Sequence, residues 1–191
     1  MSLSLYQASV PVFVRMFGNL SAILDKAAAY AEARKIDPAV LLNARLAPDM
    51  HPLTRQIQIA SDAVKGCAAR LAGVEVPSFA DSESSFAELQ ARIAKTLEFV
   101  NSLTPAQIDS GEGREVVLKF PGAELKFKGE DYLLHFVLPN FYFHITTAYA
   151  ILRHNGLTTE VVATFDDLYR MLDRSRLDMI SRGATEVLRE Q

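Results

Sequence analysis

The chain has 191 residues, of which 49% are hydrophobic and 23% are charged, and its formal net charge is −3. These proportions are typical of a folded globular domain, and they exclude a disordered chain and a strongly basic nucleic-acid-binding protein. The single cysteine, Cys67, excludes an intramolecular disulfide framework and every CxxC-type site, and because the N-terminus has no secretory pattern we expect a cytoplasmic protein.

Two long amphipathic helices are predicted in the first part of the chain. Apolar residues recur at helical spacing from Leu5 to Lys35, which predicts a first helix that ends near "KIDP". The connector "DPAVLLNARLAPDMHP" has room for a short helical turn. Pro52 suits a first helical position, and the second helix is expected to end at Gly73.

The next segment combines a third helix, a short capped turn and a hairpin. Asp81 or Ser82 is the candidate N-cap of the third helix. In "LTPAQIDS", Thr104 begins a capping pattern that predicts one short helical turn. The period then changes to two in "REVVLKFPGAELKFKG", which predicts strands at 116–120 and 124–127 joined as a β-hairpin.

The fourth predicted helix, from about Glu130 to His154, is the most apolar part of the chain. Residues 132–152 contain no Asp, Glu, Lys or Arg. An uncharged segment of this length can cross a bilayer, so a membrane-anchored protein is one hypothesis. The segment also contains histidines, an asparagine and threonines that are costly in hydrocarbon, and we favour a helix buried at the centre of a bundle. Pro139 removes one backbone hydrogen bond and predicts a kink.

Four long helices, three of them amphipathic and one mostly apolar, predict an all-α fold. We expect a four-helix bundle with a small β-hairpin between helices three and four, formed by residues 1–157. The charged, weakly amphipathic segment 158–191 is predicted to be a C-terminal helical appendage, with Thr164 as its cap and Gly183 as a candidate break.

Polar residues on the fourth helix are the first candidates for a functional site. Asn140 and His144 lie four residues apart and therefore share one face of the helix, beside the predicted kink. His135 is nine residues from His144, about 180° around the helix, so the two cannot share a ligand on a straight helix.

A structural role stays open for each candidate. His144 is either a hydrogen-bonded core residue or part of a site, and Asn140 either bonds the backbone groups freed by the proline or lines a site. His51 is either a connector residue or a site residue. Asp62 either reaches a partner on another helix or shares a solvated face with Gln58.

No catalytic motif identifies a reaction: HExxH, GxGxxG, P-loop, GxSxG and EF-hand patterns are absent, and no Glu lies three residues before a histidine. The stretches "LAPDMHPLTRQIQIASD", "FAELQARIAKTLEFV" and "LPNFYFHITTAYAILRHNG" together resemble an uncharacterised bacterial domain-of-unknown-function family of the DinB/YfiT-like superfamily. The resemblance covers about residues 1–157 and implies a DinB-like four-helix bundle, commonly dimeric.

The resemblance also implies where a metal site would be. Many relatives in that superfamily bind a divalent metal through one histidine of helix two and an HxxxH pair of helix four, and some are thiol-dependent transferases or hydrolases. His144 matches the second histidine of the pair, whereas Asn140 stands in place of the first. On helix two, "RQIQIA" has glutamines where the remaining histidine is expected, and His51 lies several residues too early.

Because amides are weak ligands for zinc or nickel compared with imidazole, we expect no cofactor. The predicted function is that of a homodimeric small-molecule-binding or interaction protein, with a pocket near His144, Asn140, His51 and Asp62. The alternative is a transferase or hydrolase whose zinc or nickel ion is held by His144 and His51, with a third ligand from Asn140, Asp62 or water. No nucleic-acid or membrane partner is expected.

Overall fold

The computed structural model describes residues 3–120 and 122–158. The predicted helical appendage, with its Thr164 cap and Gly183 break, lies outside the described residues from position 159 onward. The proposed division of the chain at residue 157 therefore stays a prediction.

The first two helices follow the sequence pattern closely. Helix α1 spans Leu5–Arg34 and begins with a capping box in which Ser4 is the N-cap. Its end is set by Lys35, which adopts the left-handed conformation with φ of 54°. The short helix α2, Pro38–Leu42, is the predicted turn within the connector, and the side chain of Asp37 caps it.

The predicted second and third long helices are confirmed as α3 and α4, but both begin later in the chain than predicted. Helix α3 spans Leu53–Ala72. Pro52 is its N-cap rather than the predicted first helical residue. Helix α4 spans Phe86–Asn101 and is capped by Ser85, so the prediction of Asp81 or Ser82 as its cap was wrong. The hydroxyl of Ser85 accepts the backbone N–H of Glu88, while Asp81 is engaged by arginines instead.

The predicted capped turn and hairpin are both confirmed. Helix α5, Pro105–Asp109, begins with a capping box at Thr104. Strands β1, Glu115–Phe120, and β2, Ala123–Lys128, pair antiparallel with Leu118 opposite Leu125.

The predicted fourth helix is a composite. A short helix α6, Gly129–Asp131, leads into a π-helical stretch, Tyr132–Val137, and then into helix α7, Leu138–His154. Pro139 therefore lies in the first turn of α7, where a missing N–H is tolerated. In place of the expected kink within one α-helix, the irregularity at the proline is the wider π turn that precedes it.

Helix α7 packs mainly against α3 and also contacts α1, while α4 packs against α1 and α3. At the centre, the ring of Phe141 meets the rings of Phe13 and Phe17 edge to face, each at 5.2 Å between centroids. The predicted four-helix bundle with a hairpin between its third and fourth long helices is confirmed. None of the described helices is long and apolar enough to span a membrane.

Three backbone segments meet without room for a side chain where the hairpin joins the bundle. A Cβ atom added to Gly111 would clash with the backbone of Leu71, at the end of α3, and one added to Gly129 would clash with the carbonyl oxygen of Gly111. The start of α6 is thereby held against the end of α3. Glycine is required here by close approach rather than by an unusual backbone conformation.

We expect Gly129→Ala to lower the free energy of unfolding by about 1–3 kcal/mol, because overpacking must displace backbone. Gly113→Ala is the matched control, since no heavy atom lies within 4 Å of the added Cβ at that position. Urea denaturation of both variants measures the difference. Equal midpoints would contradict the close-approach interpretation.

Candidate functional site

His144 is buried in the interface between α7 and α3. The residue is 7% exposed, and its Nδ1 atom lies 2.6 Å from Oε1 of Gln56 on α3, which is 1% exposed. The hydrogen bond joins the fourth long helix to the second through two buried side chains. It is the polar contact around which the candidate site is arranged.

The neighbours of Gln56 determine which nitrogen of His144 carries the proton. The amide Nε2 of Gln56 donates to the backbone carbonyl of His51 at 2.9 Å, which leaves its Oε1 as the acceptor facing His144. Nδ1 of His144 must therefore be the donor, and a neutral ring then has a lone pair on Nε2. Among the described residues Nε2 has no hydrogen-bond partner, and it is not one of their fully buried atoms.

The surroundings keep the ring of His144 neutral. Burial lowers its pKa, and electrostatic repulsion from the neighbouring His51 and Arg55 lowers it further, to about 4. A histidine with this pKa is uncharged at neutral pH and presents Nε2 as a hydrogen-bond acceptor or a metal ligand. It is a weak base, because its conjugate acid forms only under acidic conditions.

The other predicted site residues divide between two places. Asn140 is half-buried and lies one turn before His144 in the regular part of α7, so the two share a face as predicted. His51 is exposed, just before α3, and its electrostatic effect on His144 places it at the same end of the site. His135, by contrast, is exposed and lies 3.8 Å from Asp131.

Asp62 belongs to a different cluster, centred on Arg92 of α4. The guanidinium of Arg92, whose side chain is 2% exposed, contacts carboxylates of Asp62 at 2.8 Å, Asp81 at 3.0 Å and Glu83 at 2.8 Å. Lys65 also contacts Asp62, at 3.2 Å. These contacts attach the loop 74–85 to α3 and α4, and they give Asp62 a partner on another helix.

The prediction that Gln58 lies on a solvated face was wrong. Gln58 is 5% exposed and donates to Glu83 of the loop at 2.8 Å, because that loop folds over the face of α3 that would otherwise be open. Gln56 was not among the predicted site residues, although it is one of the two glutamines of "RQIQIA". The signal was present, since Gln56 lies beside Leu53 and Ile57 at helical spacing on the apolar face, where a polar residue requires a partner.

The described residues contain no group of three or more His, Cys, Asp or Glu side chains arranged to hold a metal ion. The other candidate ligands are the amide of Asn140, one turn before His144 on α7, and the exposed imidazole of His51. The amide oxygen of Gln56 is already bonded to Nδ1. This donor set combines one buried imidazole with amides, which suits hydrogen bonding to an organic ligand better than coordination of zinc or nickel.

Comparisons with known proteins agree with this fold. A family model described as a domain of unknown function, DUF1993, matches residues 5–161. A crystal structure of a DinB family member protein from Shewanella denitrificans is 41% identical to this chain, covering 83% of this chain and 91% of that one, with a TM-score of 0.72. No functionally curated protein matches the sequence significantly.

We expect the ring of His144 to titrate with a midpoint near pH 4, measured from its imidazole C–H signals by NMR. Since this lies below the value of 6.5 for an unperturbed histidine, the unfolded chain binds more protons between the two values. The contribution of His144 to stability is therefore complete above about pH 6.5 and is lost as the pH falls toward 4. His144→Gln should flatten that part of the stability profile, and a midpoint above pH 6 would contradict the burial argument.

Proposed function

Because this chain belongs to the DUF1993 family and shares its fold with a DinB family member, we propose that it is a DinB-like binding protein that works without a metal ion. Its binding residues are His144, Asn140 and His51, with Gln56 as the residue that orients His144. The predicted cytoplasmic location and homodimeric state remain part of this proposal. The observation that carries it is the hydrogen bond from His144 to Gln56.

The contact between Gln56 and His144 supports the loss of the metal site that the superfamily resemblance implies. Gln56 lies where a helix-two histidine would face His144, and Asn140 occupies the first position of the HxxxH pattern. Two of the three imidazoles are thus replaced by amides, which bind zinc and nickel poorly. The remaining imidazole is fixed by its hydrogen bond and offers Nε2 to a hydroxyl or N–H group of an organic ligand.

One observation favours the alternative, a divalent-metal-dependent transferase or hydrolase. Histidines that bind metals usually donate their second ring N–H to an oxygen acceptor, which fixes the ring and its tautomer. Oε1 of Gln56 is such an acceptor for Nδ1–H of His144, and Nε2 is left with a free lone pair. In that case His144 and His51 would be two ligands of zinc or nickel, and Asn140 or water would complete the site.

Elemental analysis of untagged protein after incubation with zinc, nickel and manganese separates the two proposals. We expect no stoichiometric metal in the natural chain. The double variant Gln56→His with Asn140→His should bind zinc stoichiometrically, because it brings three imidazoles to one place. His144→Ala in the double-variant background is the control and should abolish that binding.

Stoichiometric metal in the natural chain that disappears in His144→Ala would overturn the proposal and support the metal-dependent enzyme. Failure of a folded double variant to bind zinc would contradict the convergence of positions 56, 140 and 144. Far-ultraviolet circular dichroism checks that each variant retains its helices.

The outer face of α7 supports the homodimer. Tyr142 and Phe143 are adjacent and exposed by 41% and 54%, although they belong to the most apolar helix of the bundle. Adjacent exposed aromatic residues are enriched at protein interfaces. We therefore assign this face to the contact with a second copy of the chain.

The variant Phe143→Ser should convert the dimer to a monomer or weaken its association about tenfold or more, as expected for an aromatic residue at the centre of an interface. Phe120→Ser removes a comparably exposed ring, 48% accessible, from the hairpin and serves as the control. Light scattering coupled to size exclusion measures the mass of each. A monomeric natural chain, or equal behaviour of the two variants, would contradict this assignment.

A further inference from the structure

A cavity lies between the loop 74–85 and α4, and its lining contains none of the residues of the His144 site. Its volume is about 300 Å³, and its walls include Phe79, Ser82 and Glu83 of the loop and Glu88, Arg92 and Lys95 of the helix. The loop stays in place because Lys65 donates to the carbonyl of Pro77 at 2.8 Å and Arg92 to that of Ala80 at 3.0 Å. The cavity is therefore a built feature between two tethered elements.

One end of the cavity is acidic. Burial raises the pKa of Glu83, but hydrogen bonds from Arg92 and Gln58 outweigh this effect and lower it. The backbone N–H and hydroxyl of Ser84 lower the pKa of Glu88. Both carboxylates are ionised at neutral pH, and Glu88 is exposed.

The other end is basic and aromatic. The ammonium of Lys95 lies 4.3 Å from the ring centroid of Phe79, and that of Lys65 lies 4.9 Å from it. Lys95 is exposed, and a cation–π contact at an exposed site is weak, so its ammonium is free to turn toward an anionic group.

The guanidinium of Arg92 forms part of the wall between the two ends. Its terminal nitrogens contact three carboxylates, whereas its Nε is fully buried and is the one such side-chain atom without a hydrogen-bond partner among the described residues.

The positions of Glu88 and Lys95 on α4 set an approximate length for a ligand. Glu88 and Lys95 are seven residues apart on α4, which corresponds to about 10 Å along the helix axis. Ala91 lies between them on the same face and contributes to the cavity wall. The cavity thus has an anionic end, an apolar middle and a cationic end.

We propose that this cavity binds a small zwitterion of the ω-amino carboxylate type. The ammonium of the ligand pairs with Glu88, because both carboxylate oxygens of Glu83 are already engaged by Arg92 and Gln58. The carboxylate of the ligand pairs with Lys95, and its hydrocarbon chain lies against Ala91 and Phe79. A simple anion would leave Glu88 without a cationic partner, and a simple amine would leave Lys95 without an anionic one. The site shares no residue with the His144 site, so the two proposals fail independently.

Calorimetric titration of the full chain with 6-aminohexanoate tests the proposal. Hexylamine and hexanoate, which each lack one charge, should bind about tenfold more weakly or not at all, since each leaves one end of the cavity unpaired. Lys95→Gln and Glu88→Gln should each reduce affinity for 6-aminohexanoate by about tenfold. Lys119→Gln, which removes an exposed lysine from β1, is the matched control and should bind as the natural chain does.

Because Glu88 also accepts hydrogen bonds at the start of α4, a charge-swap variant separates binding from folding. Glu88→Lys combined with Lys95→Glu reverses the two ends, and a folded swap variant should bind the same ligand in the opposite orientation with affinity recovered relative to the single variants. The proposal is overturned if the natural chain gives no heat at millimolar 6-aminohexanoate, or if hexanoate or hexylamine binds equally well. Loss of binding in both single variants without recovery in a folded swap variant would also overturn it.

Discussion

The burial of the mostly apolar helix α7 against α3 is the constraint on which the rest of this structure depends. Residues 132–152 contain no Asp, Glu, Lys or Arg. Such an apolar helix must bury most of its surface against the other helices of the bundle. Phe141 fills the centre, and His144 then enters an apolar interface where its ring must find a partner. Gln56 supplies that partner from α3, and the geometry of the candidate site follows from this contact.

The same contact explains how the bundle accommodates a buried histidine. A neutral ring costs far less to bury than a charged one, and the low pKa of His144 keeps it neutral under ordinary conditions. The amide of Gln56 is in turn fixed by the carbonyl of His51, so the ring cannot turn freely. The proposed binding site is therefore oriented before any ligand arrives, which reduces the ordering that binding requires.

The polar cluster around Arg92 fixes the loop 74–85, and Arg55 connects this loop with the candidate site. Arg92 holds Asp81 and Glu83 of the loop together with Asp62 of α3, so a buried cation is surrounded by carboxylates. Arg55 contacts Asp81 as well, and its charge contributes to the low pKa of His144. Arg55 therefore contacts the loop and also acts electrostatically on the candidate site.

The sequence by itself determined the helices, the hairpin, the capped turn at Thr104 and the shared face of Asn140 and His144, because hydrophobic period and capping chemistry act between residues close in the chain. Only the tertiary structure decided the partners of Gln56, Gln58 and Asp62, which lie on other elements. It also decided that Ser85 caps α4 while Asp81 turns to arginines, and that a π-helical stretch precedes Pro139. The physical reason is that a buried polar group takes whichever partner the packing brings near, and local spacing does not encode that choice.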